Sequence, residues 1–273
     1  MLRLTCVVEN KAARPALRAE HGLAVLVETA DGRILWDTGG SADVFLHNWK
    51  ALGLEGTPLS AAALSHAHLD HTGGLAALLK AYPGLPLYAH ADIARPRFSL
   101  RDGIYAQGLI LQTEALAAAA DLHLSAEAQE ILPGVRTTGT VAPRPHPTGG
   151  APHLRAMDDG GRLIPDPYAD DMSLVLEGGD GAVLLCGCCH AGLRNTIGRL
   201  RELTSAPLRA VAGGTHLHEA PRPELDAIVD LLEAAGRPAI YLNHCSGDKT
   251  LAYLASVYGG QVTAFHGGDV LEW

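Results

Sequence analysis

The chain is short of basic residues. Its 273 residues include 21 lysines and arginines against 30 aspartates and glutamates, a formal net charge of −9. A protein that tracks a phosphate backbone carries a basic stripe or arm, so this balance argues against a nucleic-acid partner. It leaves room for a small anionic substrate held by a few local arginines. No apolar run reaches the length of a membrane span, which excludes a membrane role at this level. The opening stretch MLRLTCVVEN turns polar too soon for a signal peptide, and the expectation is a cytoplasmic protein. Cysteine is sparse too. Cys6, Cys186, Cys188, Cys189 and Cys245 are odd in number and three of them are clustered, which is not the spacing of a disulfide framework. No flavin-domain pattern and no second complete core are visible, and nothing marks the oligomeric state.

What is present suffices for a large fold. Hydrophobic residues make up 47% and charged residues 19%, so a chain of this length buries a substantial core without staples. Short apolar runs alternate with glycine-rich turns. LRLTCVV (2–8), LAVLVET (23–29) and RILWDTG (33–39) read as strands, the last two joined at Asp31-Gly32. VFLHNWKALG (44–53) has helical spacing, AAALS (61–65) reads as a buried strand, LAALLKAY (75–82) as a helix, LPLYAH (85–90) as a strand and EALAAAADL (114–122) as a helix. Residues 141–171 hold six of the sixteen prolines and read as a long irregular excursion within a single domain spanning 1–273. The second half repeats a simple unit: strands ending at His190, His216 and His244, each followed by a helix.

The chemistry concentrates in SHAHLDHTGG, residues 65–74. In an extended chain His66, His68 and Asp70 point to one side, because side chains alternate with period two. His71 is out of phase and joins them only if the chain turns at Thr72-Gly73-Gly74. Such a set suits one or two divalent ions, zinc first, with iron and manganese as alternatives. The plain alternative is a helix-capping loop with solvated histidines. His190 in LLCGCCHAG offers a third imidazole; the competing readings are a core histidine, or metal binding by CxCCH itself. His244 in YLNHCSG is a candidate last ligand. His216 in AGGTHLH is a ligand, a proton donor or an oxyanion stabiliser, while His218 and His266 read as ordinary histidines. A metal ion at such a site lowers the pKa of its water from 15.7 to about 7, which yields hydroxide at neutral pH. Asp70 is then positioned to orient that water and accept its proton. Asp171, just before MSLVLE, is a supporting or acid–base candidate, against a solvated turn aspartate. Arg95 and Arg97 in ARPRFSLRDG are candidates for a substrate phosphate, against a solvated loop.

SHAHLDHTGG (65–74) resembles the HxHxDH signature of the metallo-β-lactamase superfamily, and WDTGG (36–40) resembles the strand-end aspartate motif that precedes it. EHGLAVLVET, DDMSLVLE, CGCCHAGLRNTI, AGGTHL and NHCSG extend the likeness to a subgroup described as dihydropterin–ribofuranosylaminobenzene-phosphate synthase-like. The resemblance implies an α/β fold, a four-layer αββα sandwich with two mixed β-sheets flanked by helices. It implies that His66, His68 and His190 hold a first metal, and that Asp70, His71 and His244 hold a second. His21 lines the pocket by resemblance alone. Where most of the superfamily has a bridging aspartate this chain has His216, and a neutral imidazole does not bridge two ions. The function implied is a metal-dependent hydrolase or related transferase, using a metal-bound hydroxide on a small phosphorylated or pterin-like molecule. A non-haem iron redox enzyme on the same fold and a non-catalytic metal-binding sensor are the alternatives.

Overall fold

The computed structural model describes residues 1–109, 111 and 113–273. In chain order the elements are β1 (Arg3–Val8), β2 (Ala24–Glu28), β3 (Arg33–Trp36), α1 (Ala42–Ala51), β4 (Ala61–Ala63), α2 (Leu69–Thr72), α3 (Leu75–Ala81), β5 (Pro86–Ala89), β6 (Arg97–Leu100), β7 (Ile104–Ala106), α4 (Thr113–Ala119) and β8 (Asp121–Leu124). They continue with β9 (Glu130–Leu132), β10 (Val135–Thr137), β11 (Leu154–Met157), β12 (Leu163–Pro165), β13 (Ser173–Gly178) and β14 (Gly181–Cys186). The chain ends with α5 (Leu193–Leu203), β15 (Leu208–Gly213), α6 (Arg222–Ala234), β16 (Ala239–Leu242), α7 (Asp248–Tyr258), β17 (Val262–Ala264) and β18 (Val270–Glu272).

Two compact units result. The first comprises Met1–Ala126, Gly150–Asp170 and Gly267–Trp273, and the second Glu127–Gly149 and Asp171–His266. Among the described residues the first unit holds a seven-stranded sheet in the order β18-β1-β2-β3-β4-β5-β8 and a four-stranded sheet, β12-β11-β6-β7. The second holds a seven-stranded sheet, β17-β16-β15-β14-β13-β10-β9. Each large sheet is antiparallel on one side and parallel on the other. In the first the pairings from β18 to β3 are antiparallel and those from β3 to β8 parallel. In the second, β9 to β14 pair antiparallel and β14 to β17 parallel. Parallel neighbours need a crossover, and the helices supply it. That is why β3, β4, β14, β15 and β16 all end in loops at one edge of their sheet, the usual place for ligand chemistry in such sheets.

The central strands β2, β3, β4, β14 and β15 are apolar and buried over most of their length. In the first unit Leu26, Leu35 and Leu87 pack against Phe45, Trp49, Leu75 and Leu78 from α1 and α3. Helix α1 starts where Ser41 accepts the Val44 N–H, and Asp43 and Lys50 sit at the ends the helix dipole favours. Its buried Asn48 is fully used, donating to the carbonyls of Val7 and Arg18 and accepting from the Arg18 N–H. In the second unit Leu184, Val211 and Ile240 pack against Ile197, Leu200, Ile228 and Leu254 from α5, α6 and α7.

Two sequence expectations need correction here. The 141–171 stretch is not irregular throughout: β11 and β12 form within it, and β11 pairs with β6 through Arg155↔Phe98. The helix read to residue 122 stops at Ala119, because Leu122 is taken by the sheet as the partner of Leu87. Among the described residues, no helix is long and apolar enough to cross a membrane.

Candidate functional site

In the first unit the SHAHLDHTGG stretch is not extended as far as Asp70. Strand β4 ends at Ala63, His66 and His68 follow in open chain, and Leu69–Thr72 close into the single helical turn α2. The helical turn, not strand alternation, delivers Asp70 and His71. The chain can turn there because Gly73 lies against the Gly40 carbonyl: a Cβ built on Gly73 would be 2.0 Å from that oxygen. Gly73→Ala is therefore expected to destabilise the protein by about 1–3 kcal/mol or more, read by urea unfolding; wild-type stability would show that the two segments separate freely.

The imidazoles are held from behind. Ser65 donates its hydroxyl proton to Asp37 Oδ2 at 2.7 Å, and its N–H donates to Asp37 Oδ1 at 2.7 Å. With its one proton committed, the Ser65 oxygen can only accept from His66 Nδ1, 2.8 Å away. His71 Nδ1 donates to Asp37 Oδ2 at 2.7 Å. Both rings thus carry their proton on Nδ1 and present the Nε2 lone pair, an assignment made from the network. His66 Nε2 lies 3.0 Å from His68 Nδ1. On its other side His68 Nε2 faces Asp166 Oδ2 at 3.7 Å, and its ring meets Tyr168 edge-on. Asp70 lies beside them, with its Oδ2 3.1 Å from His21 Nε2 and 3.8 Å from His71 Nε2. His66, His68 and His71 are buried, whereas His21 is exposed.

These residues fit a metal ion. Two imidazole nitrogens at ~2.0–2.1 Å from a tetrahedral zinc stand roughly 3.3 Å apart, close to the 3.0 Å between His66 Nε2 and His68 Nδ1. The rear partners, a hydroxyl–carboxylate pair and a carboxylate, are those that orient ligating histidines.

Behind this cluster lies a network the sequence did not reveal. Arg97 is buried, with its guanidinium against Asp170 Oδ1 (2.6 Å), Asp166 Oδ2 (3.2 Å) and Asp92 Oδ2 (3.4 Å). Asp170 Oδ2 in turn accepts the N–H of Ala67, the residue between His66 and His68. Burial pushes the Asp170 carboxyl up, against the pull of Arg97. Burial also acts on Asp166, but the neighbouring His68 and Arg97 outweigh it and hold that carboxyl below its ordinary value. Arg97 was expected at a substrate phosphate; the structure commits it to these carboxylates instead. Arg95 is bound to Asp92 Oδ1 (2.8 Å), the Met157 carbonyl (2.9 Å) and Asp159 Oδ1 (3.2 Å).

In the second unit His190 donates Nδ1–H to the Gly149 carbonyl at 2.8 Å and presents Nε2. Its ring stands 4.5 Å from that of His216, which meets His218 at 4.9 Å. The ligand atoms of Cys188, His190 and His216 lie within 4.8 Å of one another, and so do those of Cys188, His244 and Cys245. Cys245 Sγ accepts the His216 N–H at 3.2 Å. Burial raises the Cys245 thiol, but Cys188, His244 and His216 outweigh it and hold the thiol well below its ordinary value. Cys186 and Cys189 turn instead into the apolar core, where contact with Cys186 and burial push the Cys189 thiol up. Asp171, read as a supporting or acid–base group, is buried and accepts the Ala191 N–H at 2.9 Å, so it fastens the loop carrying His190 rather than lying in a solvated turn.

Backbone strain gathers in the same loops. Among the described residues, Asp37, Tyr168, Cys189, His216 and His244 all have positive φ, between 47° and 58°; Arg237 is the other non-glycine residue of this kind. Side-chain residues pay about 1–3 kcal/mol for such a backbone, and sites of function are where it is tolerated. Asp37, Asp166, Asp170 and Cys245 were not among the candidates read from sequence, and Cys188 entered only through the CxCCH alternative. The WDTGG motif pointed to the first, whereas Asp166, Asp170 and Cys245 carried no local signal of their role.

The chain is similar to several known proteins. A curated relative from Methanocaldococcus jannaschii, 7,8-dihydropterin-6-methyl-4-(beta-D-ribofuranosyl)-aminobenzene-5'-phosphate synthase, is 26% identical over 270 residues, covering 93% of this chain and 90% of the relative. A crystal structure of a metal-dependent hydrolase of the beta-lactamase superfamily superposes with a TM-score of 0.86 at 23% identity, covering 100% of this chain and 99% of the other. A diphosphatase of the PhnP family superposes with a TM-score of 0.54 at 17% identity, covering 100% and 98%. These likenesses show the metallo-β-lactamase fold expected from the motifs. Residues 17–237 match the family description of the metallo-beta-lactamase superfamily, and the chain belongs to that superfamily.

Proposed function

We propose that the protein is a metal-dependent hydrolase, or a closely related group-transfer enzyme, acting on a small phosphorylated or pterin-like molecule. The observation that carries this reading is the pair His66 Nε2 and His68 Nδ1, 3.0 Å apart and braced from behind by Ser65 and Asp37. The ligand sets follow the family pattern: His66, His68 and His190 for one ion, Asp70, His71 and His244 for another. We also propose, as the family pattern implies, that 1–273 works as one domain. Zinc suits the nitrogen and oxygen donors. The phosphorylated substrate class rests on the name of the Methanocaldococcus jannaschii relative, an aminobenzene riboside phosphate synthase.

When bound, the ion supplies Lewis-acid polarisation of a carbonyl or phosphoryl oxygen. The chain's own residues do the rest. Asp70 accepts the proton of the attacking water, and His21, 3.1 Å from its Oδ2, holds the carboxylate at the exposed side and meets the substrate there. His216 gives a proton to the departing group or stabilises developing negative charge. Arg95 and Arg97 have no part in substrate binding in this reading.

The test is elemental analysis of untagged protein purified without added metal. One or two zinc ions per chain are expected. Iron would favour the redox alternative, and a protein that holds no metal and takes none up would overturn the reading.

A further inference from the structure

Cys188 is the residue common to both donor groups of the second unit. Its Sγ lies within 4.8 Å of the ligand nitrogens of His190 and His216, and within the same distance of His244 and Cys245. Two donors held by one ion at ~2.0–2.3 Å are at most roughly 4.6 Å apart, so each group is nearly closed enough to share a cation. His190 and His244 belong, in the reading above, to different ions. Cys188 therefore stands in the group of each.

We infer that the Cys188 thiolate is a bridging metal ligand, linking the ion held by His190 to the ion held by His244. The inference rests on the metal-centre reading above and extends it to a sulfur donor. The chemistry favours it. A thiolate has lone pairs enough for two ions, whereas His216, at the position where the superfamily has a bridging aspartate, offers an imidazole that serves one. Coordination removes the thiol proton outright, and the proton leaves to solvent, so the bond formed is metal–sulfur and the bond broken is S–H. Neighbouring cysteines do not share the role. Cys186 and Cys189 lie in the apolar core, with Cys189 Sγ 3.3 Å from Thr196 Oγ1. Cys245 belongs to one of the two groups only and accepts the His216 N–H. A soft donor at the centre also shifts metal preference towards zinc and iron and away from magnesium and calcium.

The experiment is titration of metal-depleted full-length protein with Co(II), followed by absorption and by counting bound ions. Wild type is expected to take up two cobalt ions and to show a thiolate-to-cobalt charge-transfer band in the near ultraviolet. Cys188→Ser is expected to lose that band and to bind its second ion at least tenfold more weakly, while Cys189→Ser keeps both. X-ray absorption on wild-type zinc protein is expected to show sulfur at about 2.3 Å, which tests the inference even if Cys188→Ser misfolds. Two ions bound without any sulfur signature would overturn the thiolate and leave the metal centre standing. A band that survives in Cys188→Ser would also overturn it. No cobalt bound by wild type would sink the metal-centre reading and this inference together.

Discussion

His68→Ala is expected to abolish metal-dependent turnover while leaving the fold intact. His68 precedes α2 with φ −59° and ψ 144°, a backbone that alanine adopts without strain. Neither Nδ1 nor Nε2 is needed to start the helical turn, since no side-chain cap bond is made there. The backbone contacts that hold the stretch, Leu69 N–H to the Gln107 carbonyl and His71 N–H to the His68 carbonyl, survive the change. What is lost is one of the two nitrogens that converge at 3.0 Å. Removing an outer partner of a ligating histidine costs about 10–100-fold in affinity or activity, so removing the histidine itself is expected to exceed about 100-fold. Metal content, turnover on a panel of phosphate and carboxylate esters, and circular dichroism together check this. Wild-type turnover in a folded variant would remove the active-site assignment. A variant that fails to fold would instead show that the His68 ring, packed between His66 and Tyr168, is a core element.

The difference between what sequence revealed and what it hid follows the range of the interactions. HxHxDH is a local pattern: His66, His68, Asp70 and His71 are near because the chain is short between them. The strand-to-loop position of His190, His216 and His244 is likewise local, readable from an apolar run that stops. Even so, local reading erred on the path: alternation along a strand was assumed for residues that close into a helical turn. The buried acidic network could not be read at all. Asp170 reaches the Ala67 N–H across 103 residues, and Arg97 reaches Asp170 across 73. Taken alone, ARPRFSLRDG is an exposed basic loop; only the returning 166–170 segment makes Arg97 an interior group. The same segment explains the misread excursion. Proline and glycine marked it as irregular, yet β11 is a strand because β6 is its neighbour, and strand propensity is largely a matter of such context.

Replacing Arg97 is expected to be the most destabilising single change outside the apolar cores. Asp166 and Asp170 are buried, and the guanidinium is the cation that faces both. Breaking a buried ion pair by removing one partner costs about 3–5 kcal/mol, because the charge left behind has neither water nor a counter-ion. Arg97→Ala also opens a cavity, so Arg97→Met separates the two effects: it keeps most of the stem packing and removes the charge. Both variants are expected to lose stability at neutral pH by comparable amounts, measured by urea unfolding. The pH dependence carries the sign. Without Arg97, the burial that already raises the Asp170 carboxyl loses its main opposing charge, so that carboxyl rises further above its unfolded value. A carboxyl whose folded pKa is raised takes a proton readily in the folded state, and its stability contribution is lost as pH rises through that pKa. The deficit of the variants should therefore narrow as the pH falls and Asp170 takes up its proton. In the wild type Asp166 is instead held low by His68 and Arg97 against its burial, so its contribution is present above the unfolded pKa and fades as pH falls through the folded one. If Arg97→Met were within about 1 kcal/mol of wild type at neutral pH, packing rather than charge would be what Arg97 provides, and the carboxylates that brace the His66–His68 stretch would have to find their compensation elsewhere.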